Sequence, residues 1–500
     1  MPRTMTRTRY RLALLICFGT IILAILDQNI VSAALVKIAS DLDRRHGLDL
    51  MPWVVTAFSL SATAAVPLYG RLCDIYGPRR VFLGVVATFV AGSVLCGISQ
   101  TMLQLIVFRA LQGLGAGGLI SVTMVTAAHL SMLKPEGMKK GGAGPSGLAG
   151  IVFGVGMTVG PPVGGVFADH GIWRWIFYVN IPLGVLILLG ALAVFHFPQR
   201  DTQGSIDYLG AALAGAFASC LLLACDWGGD RYAWGSLTIL GMLVCGVALL
   251  GLFLWRQHMT ASPILPLTLF RIREVRSSYV IQCLQGMALM GVIIYLLMYL
   301  QVVRGVSATG TGSFLAFLAA GITVSGLAAA KLDLSLRAAM TMGTSTAALV
   351  LTALAFTHVD TSLWLVRLEL TVLGLGFGFL LGRLITVVQQ AAPRHQMGAA
   401  IAGVRFFQLL GGAVGAAMLG SVLRRLFTRK LPGMDLTQVH RLSGAAHTSA
   451  LDAFTSSLSV VFAIAAGFMV LAVAFAIRLP KEEPAEPPAP APDKTSVPVR

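Results

Sequence analysis

The sequence predicts an all-α integral membrane protein, and three observations lead there. Hydrophobic residues make up 56% of the 500-residue chain and charged residues only 12%, about half the charged share of a soluble domain. Mean hydropathy is +0.81. The apolar residues also fall in runs of the length a bilayer requires, about 20 residues per helix.

With a window of about 19 residues, spans lie near 12–36, 51–70, 80–99, 103–129, 147–168, 175–197, 207–226, 235–256, 277–302, 308–330, 337–357, 362–389, 398–423 and 454–478. These fourteen spans place both termini on one side. The first run is too long for the apolar part of a cleavable signal and lacks a clean small-residue cleavage site, so it reads as a spanning helix.

Arg3, Arg7, Arg9 and Arg11 precede the first span, and Arg71, Arg79 and Arg80 fill the next loop on that side. Lys134, Lys139, Lys140, Arg200, Arg256, Arg271, Arg273, Arg276, Lys331 and Arg337 continue the series, which predicts cytoplasmic termini. Two loops depart from the pattern. Arg44 and Arg45 follow the first span, and Arg424, Arg425, Arg429, Lys430 and Arg441 separate the last two. Long loops cross largely regardless of charge.

The net charge of +16 is therefore an orientation signal, and no nucleic-acid partner is expected. The seven cysteines lie in or beside apolar runs without ligand spacing and read as packing residues. The histidines show no ligand spacing either, so neither a metal nor a cofactor is expected. No loop carries a nucleophile–base constellation, which argues against an enzyme.

The chain divides into a six-helix bundle at 1–199, two inserted spans with a cytoplasmic linker at 200–276, and a second six-helix bundle at 277–479. The remainder, 480–500, rich in Pro, Ala and Glu, reads as a disordered cytoplasmic tail. The thirteenth span, with Gly411, Gly412, Gly415 and Gly420, matches the fifth in glycine content once the seventh and eighth are set aside. Glycine- or proline-interrupted helices at matching places in two halves point to a carrier whose site lies between them.

The fifth span organises the chain. Gly156, Gly160 and Gly164 stack on one helix face, allowing close backbone approach, while Pro161 and Pro162, followed by Gly165, break the hydrogen-bond ladder. Asp27, in the first span, and Arg109, in the fourth, are intramembrane charges, which cost roughly 2.5–3.5 kcal/mol on insertion scales. At about 1.5 Å per residue, Asp27 lies about 13 Å and Arg109 about 9 Å inside the outer ends of their antiparallel spans. They fall at similar depth and can pair, either as a proton-coupling element or as a structural lock. Arg367 and Glu369 sit near the outer end of the twelfth span, where such a pair snorkels to the headgroups or supplies a second carboxylate, Glu369, for proton coupling.

Gly70-Arg71-Leu-Cys-Asp74-Ile-Tyr-Gly77-Pro78-Arg79-Arg80 occupies a short cytoplasmic loop, where Asp74 can act on a helix N-terminus. For a substrate cavity, Gln28 and Asn29 stand beside Asp27. The ninth span offers Gln282, Gln285, Tyr295, Met298 and Tyr299, and the tenth Phe314 and Phe317. An apolar pocket with few polar anchors suits a lipophilic molecule, with aromatic faces for a cationic one.

The loop from Gly70 to Arg80 and the Gly156-x(3)-Gly160-Pro161-Pro162-x-Gly164-Gly165 pattern resemble the gate and antiporter motifs of the major facilitator superfamily. Trp173-Arg174 through Gly184 and Ile206-Asp207-Tyr-Leu-Gly210 look like its fourteen-helix drug:proton antiporter branch, the EmrB/QacA-like multidrug efflux transporters. The resemblance implies a major facilitator fold of two six-helix bundles plus two central helices. It also implies export of a small hydrophobic compound in exchange for protons, in a bacterial inner membrane, by a monomer driven by the proton gradient. The chain departs at Gln408, where the branch commonly has Arg; Arg405 is nearby but is expected to face elsewhere. The Gly326 to Arg337 echo of the Asp74 loop is degenerate. Rival readings are a dedicated exporter of one metabolite and a non-transporting receptor. A proton-driven peptide importer is disfavoured, because the first span lacks Glu-x-x-Glu-Arg.

Overall fold

The computed structural model describes residues 5–43, 47–133, 135, 160, 163–164, 166–167, 170–196, 205–229, 231–331, 335–380, 383–432 and 444–479. Among them are α1 (Arg7–Leu42), α2 (Gly47–Tyr76), α3 (Pro78–Ile98), α4 (Met102–Met132), α5 (Trp175–Tyr178), α6 (Asn180–Val194), α7 (Tyr208–Trp227) and α8 (Leu237–Met259). There follow α9 (Arg273–Met298), α10 (Ala308–Lys331), α11 (Leu336–Leu354), α12 (Leu363–Leu380), α13 (Arg383–Ala391), α14 (Met397–Lys430) and α15 (Ala445–Ile477). The protein is all-helical, with no strand among the described residues beyond an isolated Gly228–Tyr232 bridge.

Twelve stretches of the described residues are long and apolar enough to cross a membrane. Two of the fourteen expected spans are not among them. Most of the fifth span lies outside the described residues, as do Gly156, Pro161, Pro162 and Gly165; Gly160 and Gly164 are described and buried. The eleventh span forms α11, but Thr341, Thr344, Ser345 and Thr346 dilute its apolar content. The tail 480–500 also lies outside the described residues.

Helix starts follow from capping chemistry. Thr101 accepts from the Gln104 amide at 3.2 Å to open α4, and Ser335 accepts from the Ala338 amide at 3.3 Å to open α11. Pro78 sits at the first position of α3, where its missing N–H costs nothing, after Gly77 at φ 81°. The Asp207 side chain caps α7 through the Gly210 amide at 3.0 Å. It also receives Arg256 Nε at 3.1 Å and Gln257 Nε2 at 3.2 Å, tying the start of α7 to the end of α8.

Small residues set the seams, and the same seam recurs. α2 packs on α4 where Gly113 and Gly117 meet the backbone of Phe58 and Ala62, and α10 packs on α12 through Gly321 and Gly374. α14 packs on α9, and a Cβ on Gly411 would run into the Cys283 carbonyl. Gly411→Val is therefore expected to destabilise the fold by about 1–3 kcal/mol through overpacking, read as a lower melting temperature in detergent.

Helix directions place the described chain ends together. α14 begins against Asp74 and runs away from it. α15 starts near the far end of α14, where Phe427 and Phe454 lie 6.3 Å apart, and returns. Tyr10 and Ala13 of α1 pack with Cys73 and Phe82. Both described ends thus lie at the Asp74 end, as an even number of crossings requires. Leu186, Leu189, Val244, Val247 and Leu349 are exposed and form the apolar outer face that lipid covers.

Candidate functional site

The deepest polar feature is a cluster from four helices. Asp27 of α1 is fully buried. Arg109 Nη1, from α4, donates to its Oδ2 at 3.0 Å, and Gln112 Nε2, one turn further along α4, to its Oδ1 at 2.9 Å. Asn180 Nδ2, at the start of α6, donates to the same Oδ1 at 2.6 Å. Ser93 of α3 closes the set, its Oγ accepting from Gln112 Nε2 at 2.8 Å. Arg109 Nη1 also donates to Gln112 Oε1 at 2.7 Å, and its guanidinium carbon stands 4.0 Å from the Phe58 ring centre.

Of the ion pairs found among the described residues, Asp27–Arg109 has both partners buried, at 0% and 2% exposure. Arg174–Asp41 is open to solvent and Arg256–Asp207 is half open. Sequence depth brought Asp27 and Arg109 together, although α1 runs to Leu42, beyond the 12–36 estimate. Gln112, Asn180 and Ser93 were not anticipated in this role. Their signal was an amide at i+3 from Arg109 and an uncharged polar residue inside an apolar run.

Chemically, the cluster holds one carboxylate whose charge is balanced by one guanidinium, in a medium where an unbalanced charge is expensive. Asn180 Oδ1 has no hydrogen-bond partner. Asn180→Leu is expected to cost about 1–3 kcal/mol by removing a donor to a buried carboxylate, detected as a lower melting temperature with the same oligomeric profile.

The Asp74 end is closed by a second arrangement. Asp74 Oδ1 and Oδ2 accept from the Gly398 and Ala399 amides at 2.7 and 2.9 Å, at the N-terminus of α14. Gly70 lets α2 reach that helix, since a Cβ there would collide with the Gly398 carbonyl. Beside it, Gln389 Nε2 of α13 donates to the Ala128 carbonyl and to Ser131 Oγ of α4, both at 3.0 Å. Arg79 reaches the Leu192 carbonyl at the end of α6, at 2.9 Å, and Arg80 is exposed. Arg71 is half-buried.

At the opposite end, Asp41 Oδ2 accepts from Trp173 Nε1 at 2.8 Å, while Arg174 donates to the Ser99 carbonyl at 3.1 Å. In the same half, α2, α7, α9 and α14 border an open cavity of about 350 Å³ lined by Thr56, Leu60, Tyr295 and Ala417 and by the exposed Asp226 and Arg424, among others.

The remaining anticipated residues are scattered. Gln28 is exposed, and the Asn29 side chain lies outside what is described. Gln282 and Gln285 are buried in α9, and neither polar atom of Gln285 has a hydrogen-bond partner. Tyr295 lines the cavity, its hydroxyl donating to the Ala416 carbonyl at 2.5 Å. Tyr299 instead donates to the His358 carbonyl at 2.8 Å, beyond the end of α11. Met298 is half-buried against the core of the second half.

Arg367 and Glu369 do not pair. Two positions apart on one helix, they face different ways. The Arg367 guanidinium lies over Trp364, Phe314 and Phe317, at 4.5, 4.9 and 5.7 Å from the ring centres, so the two phenylalanines form its cage. Glu369 is 8% exposed and its Oε2 has no hydrogen-bond partner, so it does not reach out to the headgroups. Arg405 also differs from expectation: Nη1 donates to Gln408 Oε1 at 2.6 Å, because i and i+3 share a helix face.

Comparison with known proteins agrees with this architecture. The chain is 33% identical over 480 residues to an uncharacterized MFS-type transporter of Mycobacterium tuberculosis, covering 92% of this chain and 68% of the relative. It is 30% identical over 430 residues to the multidrug transporter protein MdtP of Bacillus subtilis, covering 84% and 77%. Its fold is similar to that of the human organic anion transporter MFSD10, with a TM-score of 0.64 at 14% identity over 93% of this chain and 99% of that one. The family model described as Major Facilitator Superfamily matches residues 17–416. The chain belongs to the Major Facilitator Superfamily and is a multi-pass membrane transporter, not an enzyme.

Proposed function

We propose that this transporter is a proton-coupled antiporter that exports lipophilic compounds by alternating access, as a monomer in the bacterial plasma membrane with the Asp74 end in the cytoplasm. The observation that carries the reading is the fully buried Asp27 carboxylate, joined to Arg109, Gln112 and Asn180 across three helices. A proton arriving on Asp27 removes the charge that holds Arg109. The Asn180 amide, whose Oδ1 is unpartnered, can then turn and accept from the protonated carboxyl. Loading therefore changes what α1, α4 and α6 hold in common, the local event a two-state carrier needs. Glu369, buried on α12 with its Oε2 unpartnered, supplies a second protonatable group in the other half.

The Asp74 and Gln389 contacts make the described arrangement the state closed toward the cytoplasm. The orientation rests on the distribution of Lys and Arg. Similarity to proteins named as efflux pumps supports export over uptake.

The test is proton movement in inside-out vesicles with a preset pH gradient, challenged with a panel of lipophilic cations, neutral compounds and antibiotics. Substrates are expected to release protons with the wild-type protein and not with Asp27→Asn. Release by many compounds supports broad efflux, and release by one supports a dedicated exporter. A gradient indifferent to the whole panel, with folded protein, contradicts the reading.

A further inference from the structure

The cavity in the half away from Asp74 is walled partly by α7, one of the two helices that the sequence sets apart as an insertion. α7 touches both α2 and α14, one helix from each expected bundle, and without it the cavity would lack a side. Leu60, Leu222 and Ala417 line it with apolar surface, whereas Asp226 and Arg424 bring one charge of each sign. Asp226 Oδ2 accepts from Thr56 Oγ1 at 3.2 Å, fixing that carboxylate on the α2 side. The Tyr295 hydroxyl is committed to the Ala416 carbonyl, so the tyrosine offers its ring.

A volume of about 350 Å³ matches the smaller ligand pockets, of roughly 300 Å³ upward, which combine apolar walls with a few polar anchors. The two charges on the lining, one of each sign, decide the ligand's charge. A net cation meets Arg424 and a net anion meets Asp226, so each is opposed by a like charge, whereas a head of zero net charge is opposed by neither.

We propose that this cavity is a substrate site built by the inserted helix. It takes a small amphiphile of zero net charge, neutral or zwitterionic, with its apolar body on Leu60, Leu222 and Ala417 and its head between Asp226 and Arg424. The proposal rests on the export reading and narrows its substrate class.

The test uses four probes sharing one naphthalene body: dansylamide (neutral), dansyl-lysine (zwitterionic), dansylcadaverine (cationic) and dansylglycine (anionic). Their binding to the purified transporter in nanodiscs is followed by fluorescence. The neutral and zwitterionic probes are expected to bind about tenfold or more tighter than the charged ones, and Ala417→Leu, which fills the cavity, to weaken them by about tenfold. Asp226→Asn is expected to shift preference toward dansylglycine and Arg424→Gln toward dansylcadaverine, each with an unchanged elution profile.

Binding of no probe, unchanged binding to Ala417→Leu, or an unchanged rank order in both charge variants overturns the proposal. The export reading fails separately. If probe binding depends on the cavity but no compound moves protons, the cavity stands and export falls. If wild type and Ala417→Leu exchange protons for dansylamide equally well, export stands and the cavity assignment falls.

Discussion

Arg109→Gln is expected to destabilise the protein by about 3–5 kcal/mol, the penalty for stranding one member of a buried ion pair. Asp27 would retain Gln112 and Asn180 as donors but lose its counter-charge. The double variant Asp27→Asn/Arg109→Gln removes both charges and keeps amides able to hydrogen-bond. It is expected to recover most of the lost stability, measured as melting temperature in detergent, while leaving proton-coupled transport absent. That split separates the two roles left open by the sequence. A purely structural lock would regain transport together with stability, whereas a coupling carboxylate would not.

Asp74→Ala is expected to release the end at which α2 meets α14. Each hydrogen bond to a charged group contributes about 1.5–3 kcal/mol, so losing both shifts the balance of closed and open forms by about a hundredfold or more. Spin labels at Met132 and Arg394, both exposed near that end, should report a longer-distance population that grows in Asp74→Ala. Gln389→Ala, which removes a neutral donor, should move the same distribution less. An unchanged distribution in Asp74→Ala would mean that other contacts set the closure.

Much of this fold is written in composition and run length, because a bilayer admits few ways to satisfy a backbone and spanning helices are one of them. Asp27 and Arg109 were legible for the same reason: a charge inside an apolar run demands a partner, and helix rise places the two at comparable depth. The amides around them were not. Gln112, Ser93 and Asn180 bear no charge, so nothing in their spacing says that four helices converge on one carboxylate. Asp74 announced itself through its motif, yet its acceptor role depends on amides 324 and 325 positions away. The aromatic setting of Arg367 was not legible, because the rings that hold it include Phe314 and Phe317 from another helix, and local sequence shows only its neighbour Glu369. The helix boundaries fell short where polar residues such as Lys37 and Ser40 continue α1 past the apolar run.

The most direct measurement is made in liposomes containing the purified transporter alone, loaded with a substrate identified in the vesicle panel. An imposed pH gradient should drive accumulation of labelled substrate by the wild-type protein. Asp27→Asn should still exchange labelled for unlabelled substrate across the membrane but should not respond to the gradient. Gradient-driven accumulation by Asp27→Asn equal to wild type would contradict coupling through Asp27.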